Sequence, residues 1–429
     1  MMKPSGLRDV CSGVESGMRV LWVSHFIPYP PKSGMHLRSY HLLRGVAARH
    51  DVDLVAFVQK SWLRIFYPSL EEGLRDCAQE LGQICRSVRF HAIDNLERPG
   101  GKWRTALEGL VCPTCYTIRC LQSSAARRTF QEIASKEAFS LAHFDTIGLA
   151  PFRALFPGTP ATLGHHNIES HMLLRRAGSE PHALKRMYFW QEGKRVQSYE
   201  AAVAGNFAAQ ITCSDLDGER LRAIAPHARA VTIANGVDVD YFQAARNEAS
   251  IPSLIFVGSL NWYPNVDAVQ FLLREIWPLA KARIPDLRLH IVGSAPPPHI
   301  VELAAGLGDV TVHGFVDDVR PLMNAANLYI CPIRDGGGTK LKLLDAFAMQ
   351  QCVIAHPIAC EGIDVVPGRH VRIAESAAAF AASISELLQR PNERAQMGRA
   401  ARRLVVERYS VAEIGRRLCE VFESVAAPR

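Results

Sequence analysis

From Met18 onward, short apolar, β-branched runs alternate with longer stretches whose apolar positions recur every three or four residues. Runs of the first kind make buried strands and stretches of the second kind make amphipathic helices, so the alternation predicts βαβ units around parallel sheets. MRVLWVSHF predicts a first strand and HLRSYHLLRGVAARH the helix after it. VDLVAFV, VRFHAI, FSLAHFD, PATLGHHN and AAQITCS continue the strands, and the polar, aromatic-dotted stretch from His165 to Ser198 predicts helices. The pattern restarts at SLIFVGS and runs through LRLHIVGS, VTVHGFV, LYICPI and CVIAHP. Two amphipathic helices with a break at Tyr409 and Ser410 end the chain.

Two such series joined by the Asn/Gly/Asp-rich IANGVDVDYF predict an α/β protein of two doubly wound domains facing across a cleft. The expected boundaries are a disordered leader over 1–17, a first domain over 18–240, a second over 241–405, and a helix over 406–429 that packs back on the first. Ligands of such sheets sit beyond the carboxyl ends of the strands. That rule singles out Ser24 to Gly34, Asp145, His166, Gly258 to Asn265, and the loop after LYICPI.

Composition narrows the class. A chain of 429 residues is long enough for two cores. Hydrophobic content of 48% and charged content of 21% are those of a soluble globular protein, and no apolar run reaches the roughly 18 residues of a membrane span. The polar start lacks the apolar core of a signal peptide, and Met18 is an alternative start. Eleven scattered cysteines fit reduced thiols in a cytoplasm. In CPTCYTIRC, Cys112, Cys115 and Cys120 mimic half of a zinc site, but no second pair or nearby His completes it, so no metal is expected. The formal charge of +7 favours anionic small molecules or a membrane surface over a nucleic-acid groove.

The chemistry concentrates in RDGGGTKLKLLDAF, Arg334 to Phe347. It is not a P-loop, because Leu341 follows Lys340 where Ser or Thr is required. Glycines nevertheless let a backbone approach an anion, and a helix start offers unpaired N–H groups and a positive dipole end. The alternative is a plain turn with Lys340 in solvent, although three consecutive glycines give up more backbone entropy than a turn requires.

IANGVDVDYF, FVGSLNWYPNVDAV, VHGFVDDVRPLMNAANLYICPIRDGGGTKLKLLDAFAM and ERYSVAEIGRRL together resemble the retaining GT-B glycosyltransferases of family four, also called group 1. The nearest branch is that of bacterial sugar transferases associated with exopolysaccharide synthesis. VSHFIPYPPKSGMHLRSYHLLRGVAARHDVDLVAF is similar to their first domain. The resemblance implies a GT-B fold of two Rossmann-like domains and transfer of a hexose with retention from a nucleotide diphosphate sugar to a saccharide or lipid-linked acceptor. It implies no metal or other cofactor; with the charge and the cysteines, the expectation is no nucleic-acid partner and a cytoplasmic place with peripheral contact at the inner membrane face. Many members carry two glutamates seven residues apart, one on the donor sugar and one on the ribose; here those positions hold Gly337 and Asp345.

The expected donor-binding set is Gly34, Gly258, Ser259, Asn261, Arg334, Gly336, Gly337, Gly338, Thr339, Lys340, Lys342 and Asp345, and the expected catalytic set is His166, Asp145 and Lys340. Each has a plainer alternative. His166 suits a sugar or acceptor contact, or a cap on the following turn; Asp145 suits an acceptor base or a helix cap. Lys342 and Asp345 are also spaced as a surface pair, and Asn265 as a helix cap. Rival functions are a nucleotide-sugar epimerase of the same fold and a non-catalytic nucleotide-sugar-binding protein. A nicotinamide dehydrogenase is disfavoured, because the first strand leads into HFIPYPPKSG, not a glycine fingerprint.

Overall fold

The computed structural model describes residues 17–93, 114–245, 250–336 and 338–427. Residues 1–16 of the expected leader, Cys112 and Gly337 lie outside the described residues.

Seven strands form the first sheet: β1 (Arg19–Ser24), β2 (Asp51–Val58), β3 (Ser87–Ala92), β4 (Leu141–Phe144), β5 (Ala161–Gly164), β6 (Ala209–Thr212) and β7 (Ala230–Thr232), in the order β3-β2-β1-β4-β5-β6-β7. Six form the second: β8 (Ser253–Val257), β9 (Arg288–Val292), β10 (Val310–Gly314), β11 (Leu328–Cys331), β12 (Val353–Ala355) and β13 (Arg372–Ile373), in the order β10-β9-β8-β11-β12-β13. β1 pairs in parallel with β2 and β4, as β8 does with β9 and β11 with β12, and strands covered on both faces read as continuous apolar runs. Val20 to Val23 and Leu254 to Phe256 have no exposure at all.

The register positions the chemistry. β1 pairs with β2 on one side and β4 on the other, and β8 lies between β9 and β11. Both sheets therefore reverse strand order beside their first strand, β1 against β4 and β8 against β11, where such sheets leave a crevice for ligands.

The helices used below are α1 (Gly34–Ala47), α2 (Glu169–Ser179), α3 (Ala183–Val203), α4 (Tyr263–Phe271), α5 (Leu341–Ala348), α6 (Pro391–Arg408) and α7 (Val411–Ala426). The predicted pair at the chain's end is α6 and α7, interrupted at Tyr409 and Ser410. No described helix is long and apolar enough to cross a membrane.

The chain divides into two compact units: Met1–Gly164 with Val203–Gln210 and Leu418–Arg429, and His165–Ala202 with Ile211–Arg417. In the first unit, Trp22 of β1 packs 4.3 Å from the ring of His143 and 6.3 Å from that of Phe422, which α7 supplies. Cys419 and Glu423 of the same helix approach Gly45 and His50. The last turns of α7 thus complete the first unit's core. The core of the second unit runs from Val237 to Tyr409, with Trp277, Tyr329, Phe256, Phe347 and Phe380 as its largest fully enclosed side chains.

Candidate functional site

In the second unit, a strand-end glycine makes room for a cation. The Gly258 N–H bonds to the Val292 carbonyl as the chain leaves β8. A Cβ on Gly258 would lie 2.3 Å from Lys342 Nζ, so the ammonium fills the space a side chain would take. Lys342 sits in the first turn of α5; its Nζ donates to Asn265 Oδ1 at 2.5 Å and lies 5.0 Å from the Phe256 ring centroid. Asn265, in turn, donates through Nδ2 to the Ser259 carbonyl at 2.7 Å, and the Ser259 hydroxyl donates to Asn261 Oδ1 at 3.0 Å. This network ties β8 and its loop to α5.

Asp345 lies one helical turn beyond Lys342. Its Oδ1 is buried and accepts no hydrogen bond, and loss of solvation pushes the carboxyl up to about 7, with Lys342 opposing. The same desolvation pushes Lys342 down to about 8. Both side chains keep some contact with solvent, whereas Asp345 Oδ1 has none. A buried, unmatched carboxylate oxygen is costly and typical of a functional position.

The glycine loop preceding α5 is strained where only glycine is at ease, with φ +101° at Gly336 and +68° at Gly338. Its carbonyls are gathered by cations: Arg175 Nη1 donates to Gly336 O at 3.0 Å, and Lys340 Nζ to Gly336 O at 3.2 Å and Gly338 O at 2.9 Å. Burial lowers the Lys340 pKa, with Glu361 opposing. The loop leads into α5, whose N-terminus has no side-chain cap, the kind of helix start that can take an anion. Two further buried oxygens at this loop accept or make no hydrogen bond: Thr339 Oγ1 and Glu361 Oε2. Thr339 Oγ1 lies 2.7 Å from where a Cβ on Gly362 would sit, and the Glu361 carboxylate stays 3.5 Å from Arg175 and 3.8 Å from Arg220, held by charge at long range.

The expected residues Gly258, Ser259, Asn261, Gly336, Gly338, Thr339, Lys340, Lys342 and Asp345 therefore share one neighbourhood. His166 joins it through its neighbour: a Cβ on Gly338 would lie 2.6 Å from Asn167 Oδ1 and 3.7 Å from the His166 carbonyl. Arg334 is directed elsewhere, paired with Asp267 through Nε at 2.9 Å and Nη2 at 3.1 Å, with its guanidinium 4.5 Å from the Phe271 centroid. Arg175, Asn167 and Glu361 were not anticipated. No local motif marks them; packing of α2 and of the turn after β12 delivers them.

In the first unit, Asp145 follows β4 and is 4% exposed. It accepts from Ser24 Oγ at 2.7 Å, Ser39 Oγ at 3.2 Å and the His25 N–H at 3.2 Å, and lies 3.0 Å from His25 Nδ1. A carboxylate with these partners fixes the orientation of the imidazole. His25, at the end of β1, was not among the expected residues, and the structure pairs it with Asp145. Gly34 opens α1, and Arg38, one turn on, is buried. His143 is a core residue bonded to Thr162 at 2.9 Å, and His165 is buried.

Residues 251–390 match the family Glycosyl transferases group 1. The matched stretch carries the residues from Gly258 to Glu361, while Asn167, Arg175 and Arg220 lie outside it. A Klebsiella pneumoniae protein of the cps region is 27% identical over 139 residues, 31% of this chain and 36% of that relative, so the alignment spans about a third of the relative's length. Among solved structures, sucrose-phosphate synthase from Thermosynechococcus elongatus superposes with a TM-score of 0.70 at 16% identity, covering 95% of this chain and 99% of that one. A Rickettsia africae glycosyltransferase gives 0.65 at 14% identity over 97% and 100%, and Anabaena HepE in complex with UDP gives 0.64 at 15% over 95% and 100%. The fold is GT-B: two Rossmann-like domains built on parallel sheets of seven and six strands.

Proposed function

We propose that this protein is a retaining glycosyltransferase that moves a hexose from a nucleotide diphosphate sugar to a saccharide or lipid-linked acceptor in surface-glycan synthesis, working at the inner face of the membrane without a metal. The observation that carries this reading is the enclosed set of unmatched oxygens, Asp345 Oδ1, Thr339 Oγ1 and Glu361 Oε2, around a glycine loop at an uncapped helix start. Sugar and ribose hydroxyls are the donors such acceptors lack, and a diphosphate is the anion such a helix start accepts. The group 1 match over the same residues supports it, as do the UDP and UDP-glucose complexes of Anabaena HepE. The cps-region relative supports the surface-glycan role.

Transfer breaks the bond between the anomeric carbon and the diphosphate oxygen and forms one to an acceptor hydroxyl, whose proton leaves. Negative charge grows on the diphosphate as that bond breaks. The helix start, Lys342 and the loop shaped by Lys340 answer that charge before it appears, the kind of preorganisation whose single members are each worth about a hundredfold or more in rate. Asp345 receives the ribose. Within the first unit, the His25–Asp145 pair has a chemistry that suits taking a proton from a hydroxyl.

A thermal-shift screen of UDP, GDP and ADP sugars tests the donor half, since a ligand that binds the folded state raises the melting temperature by mass action. One class of donor should stabilise and, with acceptor, release nucleoside diphosphate. Failure of every donor to shift the melt or turn over defeats the reading.

A further inference from the structure

Helix α3 ends firmly and begins loosely. Its second half is anchored: a Cβ on Gly193 would lie 2.9 Å from Leu174 of α2, Val196 is fully buried, and the Glu200 carboxylate accepts from the Ser170 hydroxyl at 2.5 Å. Its first five residues, Ala183 through Met187, are exposed on every side. There Leu184, Met187 and Trp190, three residues apart and so on one side of the helix, are 79%, 60% and 55% exposed. Leaving such side chains in water forfeits the gain that burial brings, so an exposed apolar stripe marks a contact surface.

The charges around the stripe choose the partner. Lys185, Arg186 and Lys194 are exposed, whereas the helix's two carboxylates, Glu192 and Glu200, are 4% and 2% exposed. Arg176 of α2 adds a further exposed cation and lies 4.2 Å from the Phe189 ring centroid. Glu180, which accepts from the His182 N–H at 3.2 Å, is the acid beside them. The water-facing charge of α3 is thus wholly positive. Three apolar side chains on one helix fall short of the roughly 800 Å² per partner that a stable protein interface buries. A helix lying in a bilayer interface needs less: an apolar side sunk among the headgroups, a tryptophan at their level and cations against anionic lipid.

We infer that the amino-terminal half of α3 docks on the surface of an anionic lipid bilayer, with Leu184, Met187 and Trp190 inserted and Lys185, Arg186 and Lys194 against the headgroups. The inference does not depend on the donor reading, and its test needs no turnover. The purified full chain is sedimented with vesicles of phosphatidylcholine alone and of phosphatidylcholine mixed with phosphatidylglycerol. It should pellet with the mixed vesicles, pellet several-fold less with the neutral ones, and be released by salt. Each cation at an anionic surface is worth about fivefold, so the Lys185→Glu, Arg186→Glu double variant should bind at least tenfold more weakly. Leu184→Glu with Met187→Glu should also lose binding, and both variants should melt as the parent does, because only exposed side chains change. The inference is overturned if the parent stays in solution with mixed vesicles, or if both variants pellet as well as the parent. It is equally overturned if light scattering shows a dimer that these variants dissociate, which would give the stripe to a second copy of the chain.

Discussion

Asp345 carries a proton more tightly when folded than when unfolded, because burial raises its pKa to about 7. Such a group supports the fold at low pH and loses that support as pH climbs from about 4 to about 7. Asp345→Asn should therefore melt higher than the parent at pH 8 and show a flatter stability profile across that window. The same change removes a ribose acceptor, so affinity for the nucleoside diphosphate should fall about tenfold or more. Thermal melts across pH, with and without nucleotide, measure both effects on one sample. A residue that weakens the fold where it strengthens binding is retained for binding. Asp145 makes the opposite kind of prediction. With its oxygens occupied by Ser24, Ser39 and His25, Asp145→Asn should disturb the imidazole and lower kcat about a hundredfold to ten-thousandfold, with donor KM unchanged in steady-state assays.

Among the elements, the glycine loop is the most demanding. Gly338→Ala would impose a side chain at φ +68° and drive its Cβ to 2.6 Å from Asn167 Oδ1. The expected cost is about 1–3 kcal/mol, with loss of donor-induced stabilisation in the same melts. This loop was legible in the sequence because consecutive glycines ahead of a helical pattern have few other uses. The buried strands were legible for a related reason: Val20 to Val23 and Leu254 to Phe256 are apolar without interruption because both faces are covered. β7 and β13 were not, being three and two residues long and only partly buried at sheet edges, where composition is hardly constrained. Nor were the partners of the loop. Arg175 lies on α2, with apolar Leu173 and Leu174 before it and Arg176 after it, and nothing in that stretch marks which arginine reaches Gly336. Lys342 and Asp345 read equally well as a surface pair until Gly258 is seen to vacate the space for the ammonium.

Across the whole molecule, the first unit is discontinuous, built from the chain's early residues and from its last helix. Phe422 is fully buried against Trp22 and His143. Phe422→Ala should cost about 3–5 kcal/mol, read as an earlier transition in urea while a transition of the second unit stays in place. The arrangement also sets an order of assembly on the ribosome. Domains generally fold as they emerge, yet the strands β1 to β5, made first, cannot close over Trp22 until α7 has been made, whereas the second unit is complete by Arg417. The strands made before the second unit are thus the part that waits longest, with an unfinished apolar face in water until α7 arrives.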